Sequence, residues 1–352
     1  MKSSYISTLT MTMSSMTSIK KLQNEITDKS TEISTGRYAD LGLTLGVRTS
    51  LSIDLRKEYS QLNGQLDSNV LTQALMTRTQ TGLTAVLDSA STYQTTLLSS
   101  QASATTVTQM AMEGQASLSN LIAAMNTTDG TRAVFGGINS GENAMKDFED
   151  GAQAALEQSF EDYFGFPMTD TEQMGEISGA QMDAFLKDSA TGFASLFTDA
   201  NWSGTTGLWS NASDQVITKQ ITSTESVTAS VSANNTAIRQ LAMAYTMMGY
   251  LNITSLNDEA LQTVMDTARA SLSSGMTGVT NAASAIGVSQ NRTTNATDNL
   301  EKTLDVVSSR ITSLESVDPA TAKTELDTLT NQLEMSYSVT TKLLSLTIMD
   351  YV

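Results

Sequence analysis

Apolar residues near the C-terminus recur at alternating steps of four and three residues, a spacing that predicts the seam of a coiled-coil helix. The seam consists of Leu300, Leu304, Val307, Ile311 and Leu314. Asp318 and Pro319 then interrupt it with a helix-capping residue and a residue suited to the first helical turn. The pattern therefore predicts that one helix ends just before this pair and that another runs from it to the end of the chain.

Both ends of the chain carry amphipathic helical patterns with few charged residues. The predicted apolar faces are Leu9, Met13, Met16, Leu22 and Ile26 in the first helix and Leu326, Leu333, Leu344 and Ile348 in the last. An isolated helix of this kind is marginal in water, because most helical stability comes from burying the apolar face. We expect the two ends to pack together and, with the seam at 300–314, to form an assembly interface with neighbouring subunits.

The middle of the chain differs from its flanks. Helical periodicity runs from Val47 to about Asn126, as one helix or as two with a turn near Gln94–Thr105. All eight phenylalanines then fall between Phe135 and Phe197, which predicts a separate aromatic core. Alternating β-branched residues in Val216–Ile221 and Ser226–Val231 predict a β-hairpin.

The predicted fold class is mainly α: a long coiled-coil helical rod made from paired N- and C-terminal segments, with a central α+β insert. We expect terminal assembly helices at 1–35 and 319–352, and a helical rod domain at 36–134 and 233–318. The insert, with its aromatic core and β-hairpin, is expected at 135–232.

The charge balance limits the kinds of partner that the chain can bind. The 352-residue chain has a formal net charge of −17 and only 16% charged residues, with no basic cluster. Nucleic acid and anionic membrane surfaces are therefore poor partners. Twelve acidic residues and two lysines lie between Glu142 and Asp188. Their spacing fits no calcium-binding loop, so a solvated acidic face is favoured over a cation site or a carboxylate pair for glycoside hydrolysis.

Cysteine and histidine are both absent from the chain. This removes disulfides, thiol nucleophiles, the commonest zinc ligands and every histidine-dependent triad. We therefore expect no enzyme activity, no cofactor and no metal site. The N-terminus lacks the apolar core of a secretory signal, and no apolar run reaches the length of a membrane span. The expected location is the cytoplasm, or the cell exterior after export by a machine that removes no leader.

Several short motifs, taken in order, carry a resemblance to a known family. They are Met1–Tyr5, Ile33–Arg37 at the first helix break, Ala133–Asn139 after the long helices, Ser230–Asn235 before the returning helix, and Leu343–Val352 at the end. With these motifs the chain resembles the flagellin-like proteins of the bacterial flagellum, and within them the hook-filament junction proteins, the third type of hook-associated protein. It departs from the junction pattern at Ala133–Val134, where Tyr-Leu is common, and at 37–46, where an Asn-Pro or Asp-rich turn is common.

The resemblance implies a structural subunit that joins the flagellar hook region to the filament and lies outside the cell after export without a cleaved signal. It implies self-association, contacts with a neighbouring hook-associated protein and with flagellin, and an export chaperone. Two alternatives are a filament flagellin and, from a different class, the helical signalling hairpin of a chemoreceptor.

Overall fold

The computed structural model confirms a mainly α protein, with 75% of the chain in helices and one small sheet. It describes the backbone of residues 8–99, 104–204 and 206–349, and the side chains of these residues except 8, 9, 99, 104 and 343–349.

The helices are numbered in chain order. They are α1 (Thr8–Thr35), α2 (Leu41–Leu45), α3 (Thr49–Ser99), α4 (Ala104–Met125), α5 (Ala152–Phe164), α6 (Thr171–Glu176), α7 (Gly179–Lys187), α8 (Asp199–Trp202), α9 (Thr236–Tyr250), α10 (Asp258–Glu315) and α11 (Pro319–Met349). The strands are β1 (Thr218–Gln220) and β2 (Ser226–Thr228). The long helical pattern from Val47 to Asn126 is thus two helices, α3 and α4.

The chain divides into two compact units. Unit 1 comprises residues 1–64 and 300–352, and unit 2 comprises residues 65–299. Both boundaries fall inside long helices, the first in α3 and the second in α10. The division into terminal helices, rod and insert follows other boundaries and stays a prediction.

In unit 1, helices α1 and α11 pack along each other. Lys29 Nζ lies 2.8 Å from Glu32 of its own helix and 2.7 Å from Glu325 of α11. Gln23 Nε2 also donates to the Tyr337 hydroxyl at 2.9 Å. The predicted start of α11 is confirmed, because Asp318 accepts hydrogen bonds from the Ala320 amide at 3.1 Å and the Thr321 hydroxyl at 2.7 Å.

In unit 2, glycines allow helices to approach closely. A Cβ built on Gly114 of α4 would lie 3.0 Å from the Gly249 nitrogen of α9. Gly275 and Gly278 lie inside α10 and do not interrupt it. A Cβ at Gly275 would lie 2.6 Å from the side chain of Leu241, so this glycine instead makes room for α9.

The aromatic residues of the insert are buried together. Trp202 and Trp209 stack with ring centroids 5.5 Å apart, and Trp209 Nε1 donates to the Leu196 carbonyl at 3.1 Å. The core is continuous with that of the surrounding helices rather than separate from it. Phe135 lies so close to α3 that a Cβ at Gly82 would be 2.7 Å from its ring.

The β-hairpin predicted for Val216–Ile221 and Ser226–Val231 is confirmed, with shorter strands. β1 and β2 pair antiparallel, with Lys219 opposite Val227. Ile221, Val227 and Ala296 of α10 form a small buried cluster. Asn69 of α3 fixes the turn by donating to the Ile221 carbonyl at 3.1 Å.

Candidate functional site

The predicted assembly interface divides into two kinds of surface. On α1 and α11, two of its six described apolar residues are exposed and the other four are half-buried. Met13 and Met16 are 59% and 65% exposed, and Leu22, Ile26, Leu326 and Leu333 are half-buried. Three other apolar or aromatic residues of α11, Met335, Tyr337 and Val339, are also exposed. The side chains of Leu9, Leu344 and Ile348 lie outside the described residues.

The seam at the end of α10 packs against α3 of the same subunit. Val307 and Ile311 are buried against Leu55 of α3, and Leu314 packs at the edge of the same cluster. Leu300 and Leu304 are half-buried. In this conformation Val307 and Ile311 are covered within the subunit, so they hold unit 1 together rather than face a neighbour. The use of the other seam residues in assembly stays a prediction.

Beside this seam, a buried carboxylate gathers three polar side chains. Glu315, the last residue of α10, is fully buried. It accepts hydrogen bonds from Ser52 Oγ at 2.5 Å, Arg56 Nε at 2.7 Å and Arg56 Nη2 at 2.5 Å. Arg37 Nη1 lies 3.5 Å from the same carboxylate. We call Glu315, Ser52, Arg37 and Arg56 the Glu315 cluster.

The backbone around the Glu315 cluster is joined as well. The Tyr38 amide donates to the Glu315 carbonyl at 3.1 Å, and the Val317 amide donates to the Gly36 carbonyl at 3.1 Å. The turn after α1, the start of α3 and the turn before α11 therefore meet at one carboxylate. The pKa of Glu315 is lowered, chiefly by the hydrogen bonds from Arg56 and, less strongly, by Ser52 and the charge of Arg37.

Two of the motifs that carry the family resemblance meet in unit 2. The Ala233 amide donates to the Phe135 carbonyl at 2.9 Å, and the Ser213 amide donates to the Gly136 carbonyl at 3.0 Å. Gly137 has a φ of 61°, and a Cβ there would lie 2.5 Å from the Gln215 carbonyl oxygen. The motifs at 133–139 and 230–235 are thus structural elements that join the insert to the base of α9.

Within the described part of the chain, no group of three or more acidic side chains is arranged to hold a metal ion. None of the described helices combines the length and apolar character needed to cross a membrane. The Glu315 cluster and the contacts between 133–139 and 230–235 are hydrogen bonds that connect separate segments of the chain. The Glu315 cluster was not predicted from the sequence. Arg37 ends one of the motifs that carry the family resemblance, and Glu315 directly follows the last residue of the predicted seam.

Comparison with known proteins identifies the family. The model of the bacterial flagellin N-terminal helical region matches residues 6–159, and the model of its C-terminal helical region matches residues 269–352. A search of curated proteins finds no match. Among solved structures, a candidate flagellar hook-associated protein from Vibrio parahaemolyticus aligns with a TM-score of 0.52 over 76% of this chain and 96% of its own. The two are 10% identical, so this likeness shows the fold alone. Because the two family models together match about two thirds of its length, the chain belongs to the bacterial flagellin family, whose domains indicate a structural protein of the flagellum rather than an enzyme.

Proposed function

We propose that this protein is the subunit that joins the hook region of the flagellum to the filament, and that it does so by packing its paired terminal helices against neighbouring subunits. The observation that carries the proposal is the accessible apolar surface on α1 and α11. Met13, Met16 and Met335 are each about half exposed or more, on helices that already pack against each other. Methionine side chains are flexible and suit an adaptable contact surface.

The size of this surface supports an assembly role. Burying an exposed aliphatic or methionine side chain stabilises a complex by roughly 1.5–3 kcal/mol, before the costs of association. Five such residues on one helix pair, Met13, Met16, Met335, Tyr337 and Val339, are 45% to 65% exposed in the single subunit. Their burial therefore provides a driving force of several kcal/mol for association.

The choice of the junction over the filament is supported by the order of the short motifs in the sequence. The protein from Vibrio parahaemolyticus that shares this fold is a candidate hook-associated protein, which agrees with the choice of the junction. A filament flagellin is the second candidate, because a repeating subunit and a single junction layer use the same heterologous contacts. The chemoreceptor alternative is wrong, because the flagellin models match both ends of the chain.

On this proposal the protein lies outside the cell, contacts a hook-associated protein on one side and flagellin on the other, and is accompanied by an export chaperone before assembly.

Deletion of the gene in the source bacterium separates the two candidates. Loss of a junction subunit is expected to leave hooks without filaments while intact flagellin accumulates in the medium. Loss of the filament subunit itself would also leave bare hooks, but no flagellin would be secreted. Normal filaments on a deletion strain would contradict both candidates.

A further inference from the structure

A groove of about 510 Å³ opens in unit 2 between the hairpin region, the start of α9 and the middle of α10. Its accessible apolar lining is Val216, Ala282 and Ala285, whereas Val231 and Ile286 of the same lining are buried. The only arginine in the lining, Arg239, is already engaged: its Nε donates to the Asn234 carbonyl at 3.1 Å and its Nη1 contacts the carboxylate of Asp199. An incoming group therefore meets a lining of small polar and apolar side chains whose arginine is already engaged.

Two hydrogen-bond acceptors stand together in the lining of this groove. Asn234 Nδ2 donates to Asp214 Oδ1 at 2.7 Å and to the Ala212 carbonyl at 2.9 Å. The other side-chain atom, Asn234 Oδ1, is buried and accepts no hydrogen bond from the described residues. Asp214 is exposed and forms no salt bridge within the part of the chain that the structure describes. Asp214 is therefore the acceptor that an incoming group can reach, and a carboxylate suits the planar fork of a guanidinium group.

Unit 1 presents a segment with the complementary chemistry. Leu43 and Val47 are 84% and 97% exposed, and they lie four residues apart on the turn of chain that leads into α3. Arg48 follows Val47, is exposed, and forms no salt bridge among the described residues. Two exposed aliphatic side chains beside an unpaired guanidinium match the accessible apolar lining of the groove and the carboxylate of Asp214.

We propose that the 43–48 segment of one copy docks in this groove of a second copy, with Leu43 and Val47 against Val216, Ala282 and Ala285. In that contact Arg48 pairs with the exposed carboxylate of Asp214. Segment and groove are different surfaces, so the contact is heterologous and can repeat from copy to copy, as a flagellar layer or polymer requires. This inference rests on the proposed function, because it needs copies to lie side by side in the flagellum.

The absence of cysteine from the chain makes cross-linking a direct test. Val47→Cys and Ala285→Cys are introduced together, because Ala285 is an exposed residue of the groove lining. Flagella sheared from cells that produce the double variant are oxidised and analysed without reductant. We expect disulfide-linked dimers and higher species. The matched control replaces Val47→Cys by Val70→Cys, whose native side chain is 64% exposed on α3.

A charge exchange tests the recognition itself. Arg48→Glu in the same background is expected to lower the cross-linking yield about tenfold, the effect of losing one charge-assisted contact. Adding Asp214→Arg is expected to restore it. All four side chains changed in these variants, Val47, Arg48, Asp214 and Ala285, are exposed, so circular dichroism should show an unchanged helix content.

The proposal is overturned if flagella that contain the variant give no more cross-linking than the Val70→Cys control. It is also overturned if Val306→Cys, placed beside Arg310 on α10, cross-links to the groove in place of Val47→Cys. Absence of the protein from the flagella altogether would instead refute the proposed function, so the two failures are distinguishable.

Discussion

Substitutions in the Glu315 cluster should differ in their effect on stability, because the side chains of the cluster differ in burial. Glu315 is fully buried, whereas the side chains of Arg56 and Arg37 are 48% and 52% exposed. Removing Arg56 leaves a carboxylate in the interior with one hydroxyl and a more distant arginine as partners. Replacing Glu315 with glutamine leaves two arginines that can reach water. Arg56→Ala should therefore destabilise unit 1 more than Glu315→Gln.

The magnitudes follow from the contacts. Breaking a buried ion pair from one side costs about 3–5 kcal/mol. Ser52 and Arg37 still face the carboxylate, so we expect the lower end for Arg56→Ala, about 3 kcal/mol. In Glu315→Gln the amide oxygen can still accept a hydrogen bond, and both arginines are screened by solvent, which reduces the cost to about 1 kcal/mol.

Amide hydrogen exchange measures this difference locally. The Tyr38 and Val317 amides, which are hydrogen-bonded across the cluster, report its opening. Arg56→Ala should speed their exchange about a hundredfold and Glu315→Gln less than about tenfold, since 1.4 kcal/mol corresponds to a factor of ten. Arg310→Ala is the matched control, because Arg310 is an exposed arginine of unit 1 that forms no salt bridge within the described residues. Equal exchange in the two cluster variants would refute the reasoning from burial.

Three further predictions concern the pH dependence of the Glu315 cluster and two other sites. Because the folded state lowers the pKa of Glu315, its stabilising contribution is present above the ordinary glutamate pKa of about 4.3 and is lost as the pH falls through the folded value. The exchange rate of the Tyr38 amide, corrected for its intrinsic rate, should therefore rise as the pH falls. Glu315→Gln should remove part of this pH dependence. Gly137→Ala should lower the free energy of unfolding by about 2 kcal/mol or more in urea titrations, because of its positive φ and its backbone contacts; an unchanged midpoint would contradict this. A Met13→Asp and Met16→Asp double variant should keep the melting temperature of the subunit within a few degrees yet fail to enter flagella, and normal incorporation would show that this face is not used in assembly.

The sequence pattern predicts the helices and their ends well where local chemistry decides them. Asp318 and Pro319 specify the start of α11 because capping and a fixed proline φ act within one turn. The β-hairpin is likewise predicted, because strand alternation is a local signal. The period of Leu300–Leu314 predicts a seam but not its partner, which proves to be Leu55 of the same chain.

Long-range contacts explain what the pattern misses. Segregation of the phenylalanines suggests a separate aromatic core, yet Phe135 packs against Gly82 of α3, which only the tertiary structure brings near. Glycine is a poor helix former, so the local sequence gives no reason to expect Gly275 and Gly278 inside a long helix. They lie in the middle of α10, where α9 approaches too closely for a side chain. The Glu315 cluster joins residues more than 250 positions apart, and no local signal pairs them.

The location of the protein on the flagellum tests the central claim most directly. Intact cells are labelled with an antibody against the insert at 135–232 and viewed by electron microscopy beside a strain that lacks the gene. A junction subunit predicts one narrow band of label between hook and filament on each flagellum. Label along the whole filament would contradict the account and assign the protein to the filament itself.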